Sequence, residues 1–374
     1  ANMPDITAKY LGKGMKVFVN IVVAFLLLAV GVSFVIGPAG LMQNLTGMAK
    51  EYWLYIIFGY YILATLLPVD KIIGSIYPFM GAVLLFMALG VGIMLVVGDI
   101  NGTHEMVELT PSMLKNWHAD PQTNIMIPMM FIVISCGAIS GFHATQSPMM
   151  ARCLKNEKLA RPVFYGSMIT EGLVALIWAT VAIYFFYNEP TPGYVEMGGE
   201  DVLSKAPGIV NLVCNSWLGV FGSILAILGV VAAPITSGDT ALRSARLIIA
   251  DFIHLEQKSI RKRLYVCIPM FAAVIALLVW QMENPQGFDV IWSLFGWSNQ
   301  TLSVFTLWAI TVYLAQQRKC YWITLLPALF MTVVCTTYIL IAPEGLGLSF
   351  TTGLAGGLTL MSLFAAIFLS LIHI

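Results

Sequence analysis

Residues Ile134–Cys153 read ISCGAISGFHATQSPMMARC and close an apolar run that begins near residue 123. Gly137 and Gly141 lack side chains, Ser140 competes for backbone hydrogen bonds, and Pro148 donates none. Non-helical backbone at membrane depth is tolerated only where it is buried in protein or lines a water-filled cavity. The stretch therefore predicts a broken helix whose freed backbone groups can bind ions and carboxylates.

The same stretch allows a second interpretation. The pattern Gly137-x-x-x-Gly141 also lets two unbroken membrane helices pack closely. The polar side chains that follow at once favour a binding site over simple packing, because such groups are costly in lipid. The candidate substrate-binding residues of this stretch are Gly137, Ser140, Gly141, His143, Thr145 and Gln146.

Composition places the chain in a membrane. Of its 374 residues 59% are hydrophobic and 10% charged, with a mean hydropathy of +0.86, whereas soluble domains carry about 25% charged residues. The net charge of +0 gives no basis for nucleic-acid binding. The six cysteines show no CxxC or Cys/His pairing, so neither a metal centre nor a disulfide framework is predicted.

Ten apolar segments are long enough to cross a bilayer, which takes about 20 helical residues. They predict an all-α polytopic membrane protein with about ten transmembrane helices in a single domain over residues 1–374. Bends or interfacial ends are expected in the overlong sixth and eighth segments. The longer loops are predicted at 98–122, 188–208 and 241–263. The ten segments are 16–37, 52–68, 72–97, 123–147, 164–187, 209–240, 264–282, 288–315, 321–342 and 350–372.

Lysine and arginine positions predict the orientation. With the N-terminus in the cytoplasm, 16 of the 19 basic residues fall on inner segments, and only Lys50, Lys115 and Lys205 fall outside. The positive-inside rule therefore predicts a cytoplasmic N-terminus for this chain. It also directs the MMARC end of the opening stretch toward the cytoplasm.

A second polar stretch, APITSGDTALRSAR at 233–246, ends the sixth segment. The hydroxyls of Thr236 and Ser237, with carbonyls freed by Pro234, are oxygen ligands suited to a small cation. Asp239 and Arg243 lie four residues apart and predict an ion pair, either buried or interfacial. A bent helix whose hydroxyls bond to their own backbone carbonyls, with this pair at the cytoplasmic rim, is an equal alternative.

A third polar stretch, FGWSNQTLS at 295–303, lies in the eighth segment. Asn299 and Gln300 are costly in lipid, so both are expected to face the interior of the helix bundle. For Gln300 the pattern favours interhelical hydrogen bonding, while Trp297 and Asn299 stay candidates for substrate binding.

One acid, Glu171, lies inside the fifth segment. An ionisable group within a membrane is a functional hypothesis by default, and a proton carrier is the usual role. The alternative is an interfacial glutamate near Arg161, because Glu171 lies only about two turns from the inner end. Glu171 and Asp239 are the two candidates for proton coupling.

Sequence motifs of the common enzymes are missing. The sequence contains no GxxxxGK[ST], HExxH or GxSxG, and its five histidines are dispersed. We therefore predict that the protein is not an enzyme and needs no cofactor.

The three polar stretches, in this order, resemble the carbon starvation protein A (CstA) family of bacterial membrane proteins. The likeness is strongest in CGAISGFHATQSP, APITSGDTALRSAR and LFGWSNQTL, and it extends over the whole chain. The resemblance implies uptake of peptides or pyruvate under nutrient limitation. It also implies an amino-acid–polyamine–organocation (APC) fold of two inverted five-helix repeats with broken helices.

The resemblance also assigns residues. In that fold the first and sixth core helices are broken at the substrate site, and the fourth segment here corresponds to the sixth. The eighth core helix carries an Ala-x-x-Thr-Ser set for a sodium ion, which Ala233, Thr236 and Ser237 match. Family members are expected to carry about three more helices ahead of residue 1, including the first core helix. Related pyruvate carriers imply a proton as the other possible coupling ion.

We therefore expect part of a secondary active transporter in the bacterial inner membrane. It would take up pyruvate or short peptides with H⁺ or Na⁺ as part of the response to carbon starvation. Its expected partners are the small-molecule substrate and the lipid bilayer. The alternative is a transporter-like nutrient sensor or receptor without net transport, which the lack of a cytosolic signalling domain in this sequence mildly disfavours.

Overall fold

The computed structural model describes residues 2–66, 70–103, 110–111, 116, 125–137, 139–187, 206–257, 259–284 and 286–372. Within these ranges every regular element is a helix. Seven helical segments in this part of the chain are long and apolar enough to cross a membrane. Large apolar side chains such as Ile21, Tyr55, Leu176 and Ile323 are exposed on the helices, as expected for surfaces that face lipid. The protein is therefore an all-α polytopic membrane protein.

Twelve α-helices occur in the described residues, joined in places by shorter helical turns. A 3₁₀ turn follows α5 at Ser135–Gly137, and a 3₁₀ turn at Glu157–Leu159 and a π-helical turn at Arg161–Gly166 precede α7. The helices are α1 (Met3–Leu11), α2 (Lys13–Thr46), α3 (Lys50–Leu66), α4 (Asp70–Ile100), α5 (Met126–Ile134), α6 (Gly141–Cys153), α7 (Ser167–Tyr187), α8 (Ala206–Phe252), α9 (Ile260–Glu283), α10 (Gly287–Gln316), α11 (Trp322–Ile341) and α12 (Phe350–Ile372).

Each of the ten predicted spans corresponds to a helix, with α5 and α6 together forming the fourth. The three that are not among the seven apolar segments are α3, α8 and α10. Helix α3 has 17 residues, and α8 and α10 carry the second and third polar stretches. Most of the predicted outer loops 98–122 and 188–208 lies outside the described residues.

The predicted inner loop 241–263 is wrong at both ends. Helix α8 continues to Phe252, and α9 begins at Ile260. Ala241, Leu242, Ala245 and Ile248 are buried, so apolar residues recur every three or four positions and form a helical stripe. Arg246 in the same stretch is buried as well, and Arg243 is partly buried.

Helix α1 was not predicted, although its start carries a recognisable cap. The side chain of Asn2 accepts a 3.0 Å hydrogen bond from the backbone N–H of Asp5. The Asp5 carboxylate in turn accepts one from the backbone N–H of Asn2 at 3.4 Å. This reciprocal arrangement is a capping box, and Pro4 in the first turn also suits a helix start.

The bend expected in the overlong sixth span is confirmed at Gly219 in α8. Its φ of 63° and ψ of −176° interrupt the 47-residue helix. A positive φ of this kind strains residues that carry a Cβ, which explains a glycine here. Apart from the helix's own backbone, no described atom lies within 4 Å of the position that a Cβ would take.

The chain divides into two compact units, each with its own apolar core. In the first unit, α10, α11 and α12 pack around Trp308, Met331, Tyr338 and Phe368. In the second unit, α4, α7 and α8 pack around side chains that include Val91. The predicted single domain stays a prediction. The first unit comprises Ala1–Ala29, Lys115–Met168 and Ser244–Ile374, and the second comprises Val30–Leu114 and Ile169–Arg243.

Candidate functional site

The fourth span is broken at the stretch that the sequence singles out. Helix α5 ends at Ile134, the 3₁₀ turn ends at Gly137, and Ser140 has extended backbone with φ −111° and ψ 124°. Helix α6 then begins at Gly141. The predicted broken helix is confirmed, and the alternative of an unbroken packing helix is wrong.

Asn299 of α10 caps the start of α6 from another part of the chain. Its side-chain oxygen accepts hydrogen bonds from the backbone N–H of Phe142 at 2.7 Å and from the Ser140 hydroxyl at 3.2 Å. Its Nδ2 donates to the Cys136 thiol at 3.2 Å. Ser140 occupies the N-cap position without making a side-chain cap bond of its own. Asn299 therefore satisfies a backbone donor that a helix start normally leaves open.

Gln300 binds the other side of the break. In the side-chain orientation that satisfies both of its polar atoms, the amide nitrogen donates to the Ile139 carbonyl at 2.9 Å. The amide oxygen accepts from the Cys136 backbone N–H at 2.9 Å. Both Asn299 and Gln300 are fully buried. Unpaired backbone groups cost several kcal/mol in a lipid-like interior, so these two amides stabilise the break. The interhelical hydrogen bonding predicted for Gln300 is confirmed.

Gly141 brings the backbones of α6 and α10 into contact. A Cβ at residue 141 would collide with the backbone carbonyl oxygen of Asn299 and with the Cβ of Leu302. The glycine thus serves close packing at the first residue of α6, immediately after the break. The structure therefore brings Ser140, Gly141 and Asn299 together, with Gly137 at the end of the preceding turn.

Two other candidates lie near this group with different neighbours. The indole N–H of Trp297 donates to the Cys335 carbonyl of α11 at 3.0 Å, which fixes the ring between two helices. His143 is half-buried in the first turn of α6, and its ring centroid lies 6.2 Å from that of Phe142. Substrate binding by Trp297 and His143 stays a prediction.

Thr145 and Gln146 form a second buried polar group further along α6. The Gln146 Nε2 donates to the hydroxyls of Thr145 and Ser244, both at 3.0 Å. Thr145 and Ser244 also line a cavity of about 480 Å³ in the first unit. This volume is within the usual range of small-molecule pockets, roughly 300–1,000 Å³. Exposed polar residues complete the wall, among them Arg152, Asp251, His254 and Glu256.

Sequence reasoning missed Ser244 and Cys136 as members of these groups. Both lie inside the quoted motifs, Ser244 in APITSGDTALRSAR and Cys136 in CGAISGFHATQSP. Their small polar side chains on apolar segments are the only local signal, and it does not identify a partner.

The predicted cation-binding residues lie in α8 of the second unit. The Thr236 hydroxyl donates to the Ala233 carbonyl at 3.0 Å, and the Thr240 hydroxyl donates to the Thr236 carbonyl at 2.8 Å. Two oxygens that the resemblance assigns to a cation are thus bonded to each other. This bond uses the proton of the hydroxyl and one lone pair of the carbonyl, so it neither forms nor excludes a cation site. Cation binding by Ala233, Thr236 and Ser237 stays a prediction.

Asp239 forms a buried ion pair in the same helix. Its carboxylate lies 3.3 Å from the Arg243 guanidinium, with side-chain exposures of 1% and 25%. The Tyr60 hydroxyl donates to the other carboxylate oxygen at 3.5 Å, and Arg243 also donates to the Ala64 carbonyl at 3.2 Å. Since Tyr60 and Ala64 belong to α3, the pair ties α8 to α3 within the second unit. The sequence leaves open whether this ion pair is buried or interfacial, and the structure shows that it is buried.

Glu171, the other proton-coupling candidate, is half-buried in α7 of the second unit. It lies about one turn after the first residue of α7, Ser167. Its proton role stays a prediction.

Comparison with known proteins identifies a family whose model matches this chain. The model of the family described as carbon starvation protein CstA matches residues 5–217 and 195–338. An uncharacterized membrane protein of Haemophilus influenzae is 42% identical over 235 residues, which cover 50% of this chain and 63% of that protein.

Two further relatives have names that state a function. The peptide transporter CstA of Bacillus subtilis is 30% identical over 269 residues, 60% of this chain and 45% of that protein. The pyruvate/proton symporter BtsT of Escherichia coli is 27% identical over 291 residues, 58% of this chain and 40% of that protein. The chain thus spans less than half the length of these two relatives.

Proposed function

This chain belongs to the carbon starvation protein CstA family, and we propose that it forms part of a secondary transporter for a small organic nutrient. The names of relatives that are a peptide transporter and a pyruvate/proton symporter support this proposal. The observation that carries it is the break between α5 and α6, with its backbone groups bound by Asn299 and Gln300. Broken helices of this kind form substrate sites in secondary transporters.

The proposed substrate region begins at the first turn of α6. Pyruvate and short peptides both carry a carboxylate, which is stabilised near the positive end of a helix dipole. His143 lies on that turn and adds a side chain that can form hydrogen bonds. Ser140 and Asn299 hold the turn in place through their mutual bond and the cap on Phe142.

Helix α6 connects this region to the cavity lined by Thr145 and Ser244. From Gly141 to Arg152 the helix rises by about 16 Å, at 1.5 Å per residue. We place the cavity at the cytoplasmic end, because the positive-inside rule directs the end of α6 inward. In this proposal a solute passes from the break to the cavity as the protein changes from outward to inward access.

We also propose a substrate, a coupling ion and a membrane for this transporter. We propose uptake of pyruvate or short peptides across the bacterial inner membrane, coupled to H⁺ or Na⁺ and used under carbon starvation. The N-terminus of this chain is placed in the cytoplasm.

The test is uptake by the full-length protein in liposomes. Labelled pyruvate and a labelled dipeptide are supplied under imposed proton and sodium gradients. We expect uptake of at least one of them, and His143→Ala should reduce it at least tenfold while the melting temperature stays unchanged. Ser147→Ala is the matched control, since this exposed hydroxyl on the same helix donates to the His143 carbonyl within its own turn. Ligand binding without any flux would favour the sensor alternative instead.

A further inference from the structure

The connection between α6 and α7 carries a basic residue at every third position. Arg152, Lys155, Lys158 and Arg161 are all exposed, and Glu157 is the only acid between them. The segment Arg152–Arg161, called here the basic connection, therefore has a net charge of +3. It belongs entirely to the first unit.

The neighbouring spans fix the depth of the basic connection. The helical segments on either side of it that can cross a membrane are Met126–Cys153 and Glu157–Ala182, so all four cations lie where the ends of these two segments meet. Two adjacent spans joined by so short a connection must turn at the bilayer surface. The four cations are therefore held at the level of the lipid headgroups, whichever face of the membrane this is.

The backbone of the basic connection is ordered by local hydrogen bonds. The Asn156 side chain accepts a 3.0 Å bond from the backbone N–H of Lys158, and the Asn156 carbonyl accepts one from Leu159 at 3.0 Å. The 3₁₀ turn formed in this way leads directly into the π-helical turn Arg161–Gly166. The cations thus project from a defined scaffold, which lowers the entropy cost of binding a ligand.

Exposed apolar side chains accompany the cations. Leu159 is 45% exposed, Val163 39% and Tyr165 61%. Aromatic and aliphatic residues beside lysine and arginine are typical of the boundary between headgroups and acyl chains. Soluble anions offer nothing to contact these side chains, whereas a phospholipid offers both a phosphate and hydrocarbon.

We infer that the basic connection is a binding site for anionic phospholipids of the bilayer. Lys155, Lys158 and Arg161 bind the headgroup phosphates, and Leu159 and Tyr165 contact the upper acyl chains. Because the basic connection continues directly from α6, bound lipid holds the end of the helix whose start is capped by Asn299. This inference does not depend on the proposed transport function.

The test compares lipid binding of charge variants. The purified full-length protein is titrated in neutral detergent with phosphatidylglycerol or phosphatidylcholine, and bound lipid is counted by native mass spectrometry. The test variant is Lys155→Gln/Lys158→Gln/Arg161→Gln. The control variant, Lys13→Gln/Arg318→Gln/Lys319→Gln, removes the same charge from exposed positions elsewhere in the first unit.

We expect the wild type and the control variant to bind phosphatidylglycerol in preference to phosphatidylcholine. The test variant should bind it on the order of 100-fold more weakly, from about fivefold per lost cation near a membrane surface. Melting temperatures in phosphatidylcholine should be equal for all three proteins, which confirms that each is folded. Equal weakening in both variants, or none in the test variant, would overturn the inference. If an equal concentration of soluble glycerol phosphate displaces the lipid, the site does not require a bilayer lipid, and the inference would be overturned.

Discussion

The side-chain oxygen of Asn299 lies 2.7 Å from the backbone nitrogen of Phe142 and accepts its hydrogen bond. A buried amide on α10 thus completes the first turn of α6, which is 157 residues away in the sequence. The next residue, Gln300, binds the two backbone groups on the other side of the same break. The third polar stretch of the sequence therefore stabilises the first, and the break is a property of two segments together.

Replacing Asn299 with leucine is expected to destabilise the protein. The substitution keeps the branching at Cγ but leaves the part-buried Phe142 N–H without its acceptor. We expect the free energy of unfolding to fall by about 1–3 kcal/mol, the usual cost of an unsatisfied buried donor. Denaturant unfolding in detergent measures it. Asn284→Leu, at an exposed amide that bonds to its own helix, should change stability by no more than about 0.5 kcal/mol.

Gly141→Ala tests the close approach of α6 to α10. The added methyl group would meet the Asn299 carbonyl and Leu302, so the helices must separate or the break must distort. Overpacking of this kind costs about 1–3 kcal/mol, and we expect a lower melting temperature together with loss of uptake. Gly172→Ala is the control, because described atoms leave open space around residue 172 in α7. It should be neutral or stabilising by up to about 1 kcal/mol. Equal behaviour of the two variants would refute the contact.

Asp239→Ala tests the buried ion pair in the second unit. Removal of the carboxylate leaves the Arg243 charge three-quarters buried without this partner. Breaking a buried pair from one side typically costs about 3–5 kcal/mol, and the partial exposure of Arg243 favours the lower end. The double variant Asp239→Ala/Arg243→Met should recover part of this loss. Glu256→Ala breaks the exposed 3.8 Å pair with Lys262 and should cost no more than about 1 kcal/mol.

Sodium coupling is tested by Thr236→Ala/Ser237→Ala. If sodium drives uptake through the predicted set, this variant should lose the sodium dependence while the protein stays folded. The Thr236 hydroxyl donates within its own helix turn, to the Ala233 carbonyl, and a bond of this kind contributes little to stability. Liposome uptake with and without an inward sodium gradient gives the answer. An unchanged sodium response would remove these residues from the mechanism.

Proton coupling is tested by Glu171→Gln. A glutamine has the size of the glutamate but cannot carry a proton between two states. If Glu171 carries the proton, uptake driven by an acidic exterior should fall to the rate seen without a pH gradient. Exchange of labelled for unlabelled substrate at equal pH should continue, which separates lost coupling from lost binding. Full pH-driven uptake by this variant would favour the interfacial interpretation of Glu171.

The sequence predicts a helix in each of the ten segments, and seven helical segments in the described residues are long and apolar enough to cross a membrane. It predicts the break as well, since Gly137, Ser140 and Gly141 together weaken a helix wherever it lies. It does not predict that Asn299 and Gln300 bind this break, because polarity shows that a side chain needs a partner without identifying the partner. That information arises only when α10 packs against α6.

Two features of the fold are predicted wrongly, the loop that begins at residue 241 and the missing helix α1. The stretch after residue 241 is predicted as a loop, although Ala241, Ala245 and Ile248 continue the apolar face of α8. The capping box of Asn2 and Asp5 indicates the start of α1. Hydropathy detects only segments that can span the membrane, and α1 is not one of them. Both could have been predicted by testing helical periodicity and capping before assigning loops.

The bend at Gly219 restricts the chirality of the residue that can occupy this position. Its backbone angles are the mirror image of an ordinary extended conformation, and no described atom beyond its chain neighbours and its own helix backbone lies within 4 Å of the Cβ position of an L-residue. An L-alanine there would meet strain in the backbone rather than a clash with a neighbour. A D-alanine, introduced by chemical ligation, would adopt these backbone angles without strain and should keep the bend. At this point of α8 the bend therefore depends on the handedness of the residue.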